Sequence, residues 1–572
     1  MSEQNDTTKN DSMENDSMEN DSMENGLMRK VMDGCDIIMK AAEDSAVGYV
    51  AGVPGSPVTH VIQAFVDSND KTDRYIARWF SNEKPAMENA IGTSVRGIRT
   101  LVLVKHVGMN VLSDPLVTAV THTTGAGLVI IAGDDPDSSG SQNCQDSRFY
   151  GPVSGTVMYD PCELQELYDD LRRAFDFSEE IRAPVIVRVT MDVLKKQIDA
   201  DSLVTSAPEM RPPEYFRNLY DRHSWDLPFC GKHQRFHIDT DEKAAAESEA
   251  FVVIENPCSG DDGQDPDNRR QDQAYGIISS GYACDLAEKA IRRSGRNIPL
   301  LKTGVAFPLP LEKIASFCAG RTILVVEESE PYIEDHIRIL GNVLGKRTGH
   351  IPFGKLKVDD ILDGLSKTDQ KRIAVTEISK GRLGKGKTFC DGCLYPVFYR
   401  ALSAVREKTG LAVSGDLGCI LGGAMAPYYV LDAAVDLGSG VCMGTGFADA
   451  VLVNEKRGTP LPSYPGVVKR SIACIGDFGL CHSGIYGIID ADEKQQDILV
   501  IVSDNTVAAM TGGQDSPDID RFVRPAAACF IDLYEEKGEL TAENVEKVIM
   551  DHVGEMGISV INLRWRCRRY AK

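Results

Sequence analysis

From residue 28 to about residue 190, short apolar runs alternate with amphipathic stretches of helical period. Residues 49–53, 100–104, 128–132 and 184–189 are apolar runs of strand length, and residues 83–96 carry a helical pattern. Runs this short and continuous, spaced by helices, predict a parallel, doubly wound sheet. The pattern then repeats. Strands are expected at 251–255, 275–279 and 322–327, with a polar insertion at 259–273, and again at 411–414, 471–475, 498–503 and 558–563. Residues 199–246, rich in Pro, Tyr, His and charge without clear periodicity, read as a linker, and residues 380–387 as a basic, glycine-rich connector. The expected organisation is α/β, with αβ units at 28–198, 247–379 and 380–572. Residues 1–27, where DSMEN occurs three times in succession, read as a disordered acidic tail.

A length of 572 residues exceeds one hydrophobic core and agrees with several domains. No apolar run approaches the roughly 20 residues of a membrane helix. The N-terminus is acidic where a signal peptide would be basic and then apolar, so a soluble, cytoplasmic protein without membrane contact is expected. Fifteen cysteines with one close pair, Cys390 and Cys393, suggest buried thiols in a reducing compartment. A net charge of −23 argues against nucleic acid, whose phosphates would be repelled. Small molecules and protein partners remain.

The most informative stretch is 471–514, in which two apolar strands each end in a polar turn: Gly476-Asp477, with a helix expected to open near His482, and Asp504-Asn505. Adjacent parallel strands joined by a helix would place both turns on one sheet edge. Asp477, Asn505 and the carbonyl of Val507 could then hold one hard cation, and magnesium shares such a shell with phosphates. Gly476 permits close backbone approach, and free N–H groups near His482 suit an anion. As a bare pattern the signal is weak, since a Gly-Asp turn after a strand is often structural.

GD, then DN after about 28 residues, then AMTGGQ resembles the diphosphate motif of thiamine-diphosphate enzymes. HSG (482–484) with AMTG resembles the indolepyruvate ferredoxin oxidoreductase alpha subunits in particular. GVPGSP (52–57), NEK (82–84), KHVGMN (105–110), DDP (134–136), SQNCQDSR (141–148), VVEESEP (325–331), FCDGC (389–393), GDLGC (415–419) and CMGTG (442–446) each resemble a segment of that family, in the same order.

The resemblance implies pyrimidine-binding, transketolase-C-like and diphosphate-binding units in that order, with thiamine diphosphate and Mg2+ as cofactors. It assigns Glu83 as the carboxylate that activates the pyrimidine; without it, Glu83 is a helix N-terminal charge, with Glu88 as the competing acid. It places Gly418, Cys419, Met443, Gly444, Gly476, Phe478 and His482 beside the cofactor, His482 having a capping role as its alternative. His106 follows a strand and is a candidate for proton transfer or a structural hydrogen bond. Gln142, Asn143 and Arg148 are candidates for the substrate, an arginine matching a carboxylate through paired hydrogen bonds; the alternative is a self-bonded loop.

The departures also shape the expectation. The family carries a C-terminal ferredoxin-like segment with eight cysteines, whereas Cys529 and Cys567 are the late cysteines here, so no iron–sulfur cluster is expected in this chain. The family's CxGCPHR is CDGCLYP, and its TGHQ is TGGQ with Gly513. The implied activity is oxidative decarboxylation of an aryl or branched 2-oxo acid to an acyl-CoA. Coenzyme A, a beta-type partner subunit and an external ferredoxin or cluster protein would take part. A homodimer is expected, so that Glu83 and Asp477, from units separated by a third, can face one cofactor. The alternatives are a non-oxidative decarboxylase or carboligase, and an inactive cofactor-binding structural subunit.

Overall fold

The structure, a computed structural model, describes residues 31–122, 124–138, 141, 143–206, 230–258, 272–373, 389–456 and 471–570. The acidic tail, residues 207–229 of the linker, residues 259–271 of the polar insertion and the 380–387 connector lie outside the described residues.

Among the described residues three large sheets form, one centred on each αβ segment, beside two two-stranded ones, Val31–Asp33 with Gln197–Asp199 and Val507–Ala508 with Gln514–Asp515. The first runs Val305–Phe307, Met158–Tyr159, Val185–Thr190, Leu128–Asp134, Thr100–Lys105, Tyr49–Gly52, Ile76–Trp79, parallel throughout except at the outermost pair, Val305–Phe307 with Met158–Tyr159. Every residue of Leu128–Asp134 and Val185–Thr190 is buried, as strands covered by helices on both faces require. Helix Leu164–Ile181 supplies one cover: Leu164, Leu167, Leu171, Ala174 and Phe175 fall on one face by the 3.6-residue period and are buried. The second sheet runs Asn342–Leu344, Thr322–Val326, Tyr275–Ser280, Leu300–Thr303, Val252–Glu255, its last strand antiparallel. The third runs Val413–Ser414, Ser471–Gly476, Ile498–Asp504, Ile558–Arg564, Cys529–Tyr534, all parallel. The expected α/β architecture is found.

Two features depart from the sequence reading. Strand Val305–Phe307, from the segment assigned to the second unit, joins the first sheet, and one apolar core runs from Leu103 and Ile131 through Tyr159 to Leu301 and Ile314. The linker region also contains a helix, Cys230–Ala250. Its anchor is largely polar, for Glu247 accepts from Tyr159 Oη at 2.6 Å and pairs with Arg173 at 2.6 Å, while Phe236 and Ala244 pack against the core; so few apolar contacts leave little periodicity to read. Among the described residues no helix is long and apolar enough to cross a membrane.

Candidate functional site

The turn after strand Ile76–Trp79 meets the turn after strand Ser471–Gly476, and the first and third units touch there. Asn82 caps helix Glu83–Val95, its side-chain oxygen accepting from Lys84 N–H at 2.9 Å. The amide nitrogen of Asn82 donates to the His482 carbonyl at 2.9 Å. Glu83 is buried, with Oε2 2.8 Å from His482 Nε2, so the Nε2–H tautomer donates to the carboxylate. A Cβ on Gly108 of KHVGMN would stand 2.6 Å from Glu83 Oε1, so only glycine lets that helix approach so closely. Lys105 lies at the same edge: burial lowers its pKa and the neighbouring Glu83 charge opposes that. His106 is buried, with Nε2 3.0 Å from the Asn143 carbonyl and Nδ1 enclosed without a hydrogen-bond partner.

Because Glu83 and His482 meet within one chain, pairing the first unit with the third needs no second copy. The reason for expecting a homodimer does not hold.

Gly476 pairs with Ser503, so strands Ser471–Gly476 and Ile498–Asp504 end side by side, with Asp477 and Asn505 beyond one sheet edge. The helix opens at Asp477 rather than near His482. It runs through Asp477–Gly479, a wide π turn at Leu480–Gly484 and Ile485–Glu493. Gly476, Gly479 and Gly484 hide this continuity from the sequence, since glycine normally breaks helices. Gly479 has a packing reason, because a Cβ there would overlap the Asp416 carboxylate.

The expected cation ligands divide between adjoining cavities. Asp477, Asp504, Ser516 and Asp520 line one of about 220 Å³. Asn505, Val507 and Gly513 line another of about 590 Å³, and Thr506 borders both. The Asn505 side-chain oxygen accepts from Val507 N–H at 3.2 Å. Asp477 Oδ2 is buried without a hydrogen-bond partner, and burial, with the charge of Asp504, pushes the carboxyl pKa up to about 8. A buried carboxyl beside a second acid, with one oxygen unpartnered and the neutral Ser516 hydroxyl and Phe478 and Thr506 N–H groups acting against its raised pKa, is where a hard cation would supply counter-charge. The donors fit magnesium; Asn505 would join by turning from its own backbone.

The other candidates separate. Phe478 is buried in the first turn of this helix. Gly418 holds a left-handed φ of 83°, and the Cys419 carbonyl accepts from Tyr399 Oη at 3.2 Å. Met443 is half-buried on helix Ser439–Lys456, and beside it a Cβ on Gly444 would stand 2.9 Å from Ile498 Cδ1, so Gly444 lets that helix seat on the sheet. Gln142 lies outside the described residues. Asn143 is exposed and reaches His106 through its carbonyl.

Arg148 is a correction: it is fully buried and committed to protein acceptors. It pairs with Asp146 at 2.6 Å and Glu327 at 2.7 Å and donates to the carbonyls of Glu328 and Glu330. It joins the first unit to the second rather than meeting a substrate. Breaking a buried pair by removing one partner destabilises by about 3–5 kcal/mol, so Arg148→Met should lower the unfolding free energy by about that amount. Denaturant unfolding reads this, and an unchanged midpoint would contradict it.

Three groups escaped the sequence reading. Asp416 is buried, accepts from the N–H groups of Leu417 and Gly438 at 2.8 and 2.7 Å, and has its pKa pushed to about 7 by burial. Lys105 sits beside Glu83, and Asp504 beside Asp477. The signal for each was position: all three lie at the carboxyl end of a strand. The thiols also gather, for Cys393, raised to about 11 chiefly by burial, has Cys419, Cys390 and Cys567 close enough to raise it further.

No family model matches the chain. It is similar to the indolepyruvate oxidoreductase subunit IorA of Methanothermobacter marburgensis, 28% identical over 511 residues, covering 85% of this chain and 76% of that protein. The subunit of the same name from Archaeoglobus fulgidus is 27% identical over 502 residues, with the same coverages. That from Thermococcus kodakarensis is 26% identical over 597 residues, covering 95% of this chain and 86% of its own length. Among solved structures, the 2-oxoglutarate:ferredoxin oxidoreductase from Magnetococcus marinus with 2-oxoglutarate, coenzyme A and succinyl-CoA bound has a TM-score of 0.45 at 12% identity, over 60% of this chain and 65% of that one. The resemblance read from the ordered motifs is borne out, and it reaches over most of the chain.

Proposed function

We propose that this chain is the thiamine-diphosphate-binding subunit of a 2-oxoacid:ferredoxin oxidoreductase of indolepyruvate type. The observation that carries the reading is the junction of the first and third units. There Glu83 meets His482, and Asp477, with an orphaned carboxylate oxygen, opens the helix that carries His482. Thiamine diphosphate, when bound, supplies the electron sink for the pair released as carbon dioxide leaves a 2-oxo acid. The protein binds, orients and exchanges protons.

Glu83 would hold a proton for the pyrimidine, and His482, 2.8 Å from its Oε2, fixes the direction of the carboxylate. Asp477, with Asn505 and the Val507 carbonyl, would hold Mg2+, which would neutralise the charge of the diphosphate, and the N–H groups opening the helix at Asp477 would suit that anion. With Arg148 committed elsewhere, Lys105 is the cation at this edge suited to the substrate carboxylate, and His106 is placed to move a proton. Coenzyme A and an external ferredoxin or cluster protein would complete the reaction, as the motif resemblance implies. Those relatives are named as subunits, which supports a second polypeptide as partner.

The test is anaerobic turnover of indolepyruvate by the purified chain with thiamine diphosphate, Mg2+, coenzyme A and a low-potential viologen dye. Alone, the chain should release carbon dioxide slowly and fail to sustain dye reduction. Adding the partner subunit and a cluster protein should start it. Rapid turnover to the aldehyde by the chain alone would favour the non-oxidative decarboxylase instead.

A further inference from the structure

On the far edge of the third sheet, strand Cys529–Tyr534 passes the C-terminal end of helix Ala542–His552 and the turn that follows. Three half-buried side chains converge there. Cys529 Sγ lies 3.9 Å from His552 Nδ1, which lies 2.8 Å from Glu555 Oε1, and one donor atom from each residue lies within 4.8 Å of the other two. Among the described residues this is the one group of three metal-ligating side chains so gathered. The second carboxylate oxygen of Glu555 accepts from Ser559 Oγ at 3.1 Å, and Ser559 is fully buried in strand Ile558–Arg564. Glu555 is thereby aimed by the sheet.

We propose that Cys529, His552 and Glu555 form a binding site for a divalent transition-metal ion of the zinc class. A helix C-terminus favours a histidine, and an exposed His–Glu pair needs no metal. Neither fact brings a thiol to the same point. The donor set of one thiolate, one imidazole and one carboxylate excludes magnesium and calcium, which take oxygen, and matches zinc with a water as fourth ligand. Metal–ligand bonds of about 2.0–2.3 Å place tetrahedral donors roughly 3.4–3.7 Å apart. The observed 2.8 and 3.9 Å separations bracket that range, so small side-chain turns suffice. Binding releases the thiol proton and ties the edge strand to the helix packed over it. The site shares no residue with the proposed cofactor site.

The test uses the full chain, stripped of metal by chelation and kept reduced, with Co2+ as the probe. Cysteines 390 and 393 are changed to serine in the background, so that the two thiols closest in sequence are silent. One Co2+ per chain should bind, with a thiolate-to-cobalt charge-transfer band and the strong visible bands of a tetrahedral ion, and Zn2+ should displace it. Cys529→Ser should remove the charge-transfer band, and His552→Ala should weaken binding. Ser559→Ala, acting only through Glu555, should lower affinity by about 10–100-fold, as loss of such an orienting partner does. Thermal unfolding without metal verifies that each variant folds, and Zn2+ should raise the midpoint of the background protein but not of Cys529→Ser. A charge-transfer band that survives Cys529→Ser, or the absence of any tetrahedral Co2+ signal in the background protein, overturns the assignment.

Discussion

Glu83→Gln is expected to lower the rate of decarboxylation by about 10²–10⁴-fold, the usual contribution of a general acid–base group, while thiamine diphosphate still binds. Glutamine keeps the volume and can still accept from His482 Nε2 through its amide oxygen. It cannot hold and return a proton at the pyrimidine. The surroundings of the carboxylate are defined: Gly108 packs close to one oxygen, His482 meets the other and Lys105 lies close by. Glu88, the competing acid in the sequence, is exposed and pairs with Lys84 at 3.6 Å, so Glu88→Gln should leave turnover unchanged. Single-turnover release of carbon dioxide from indolepyruvate, with cofactor binding followed in parallel by calorimetry, measures both. An undiminished rate in Glu83→Gln would remove Glu83 from the chemistry.

What the sequence made legible follows the range of the interactions involved. Strands such as Leu128–Asp134 and Ile498–Asp504 announce themselves because burial on both faces demands a continuous apolar run, and that demand is local. The placement of Asp477 and Asn505 beyond one edge was legible for the same reason, since parallel pairing of consecutive strands fixes it. Contacts distant in sequence were hidden. The Arg148 partner Glu327 lies 179 positions away, and Glu83 meets His482 across 399. No periodicity reports such pairs, so the sequence left Arg148 open between a substrate contact and a self-bonded loop, and its partners make it an internal strut. Helix Cys230–Ala250 was missed because few apolar side chains mark its inner face: Phe236 and Ala244 pack on the core, while Glu247 is held by Tyr159 and Arg173. The start of the helix at Asp477 was missed because its glycines serve close packing, as Gly479 over Asp416 shows.

Asp477→Ala should abolish Mg2+-dependent binding of thiamine diphosphate, and the pH dependence of the native protein should show why. Without a cation, burial and the charge of Asp504 hold the Asp477 carboxyl pKa near 8, so at neutral pH a proton occupies the place a metal would take. On the proposed reading, Mg2+ would have to displace that proton. Its apparent affinity should therefore rise about tenfold per pH unit as pH approaches 8 and then level off. Stability without metal runs the other way. The folded pKa lies above the roughly 3.9 of an unfolded aspartate, so below about pH 4 both states carry the proton. Between about pH 4 and 8 the unfolded chain ionises while the folded one does not, and stability falls as pH rises. Asp477→Asn, which cannot ionise, should match the native protein near pH 4 and unfold at higher denaturant than it near pH 8, both without metal. Loss of cofactor binding in a variant that is more stable than its parent cannot be ascribed to unfolding. Calorimetry with thiamine diphosphate across this pH range, with and without Mg2+, tests the whole scheme. Undiminished affinity in Asp477→Ala, or Mg2+ affinity flat between pH 6 and 8, would show that the orphaned carboxylate is not the metal ligand.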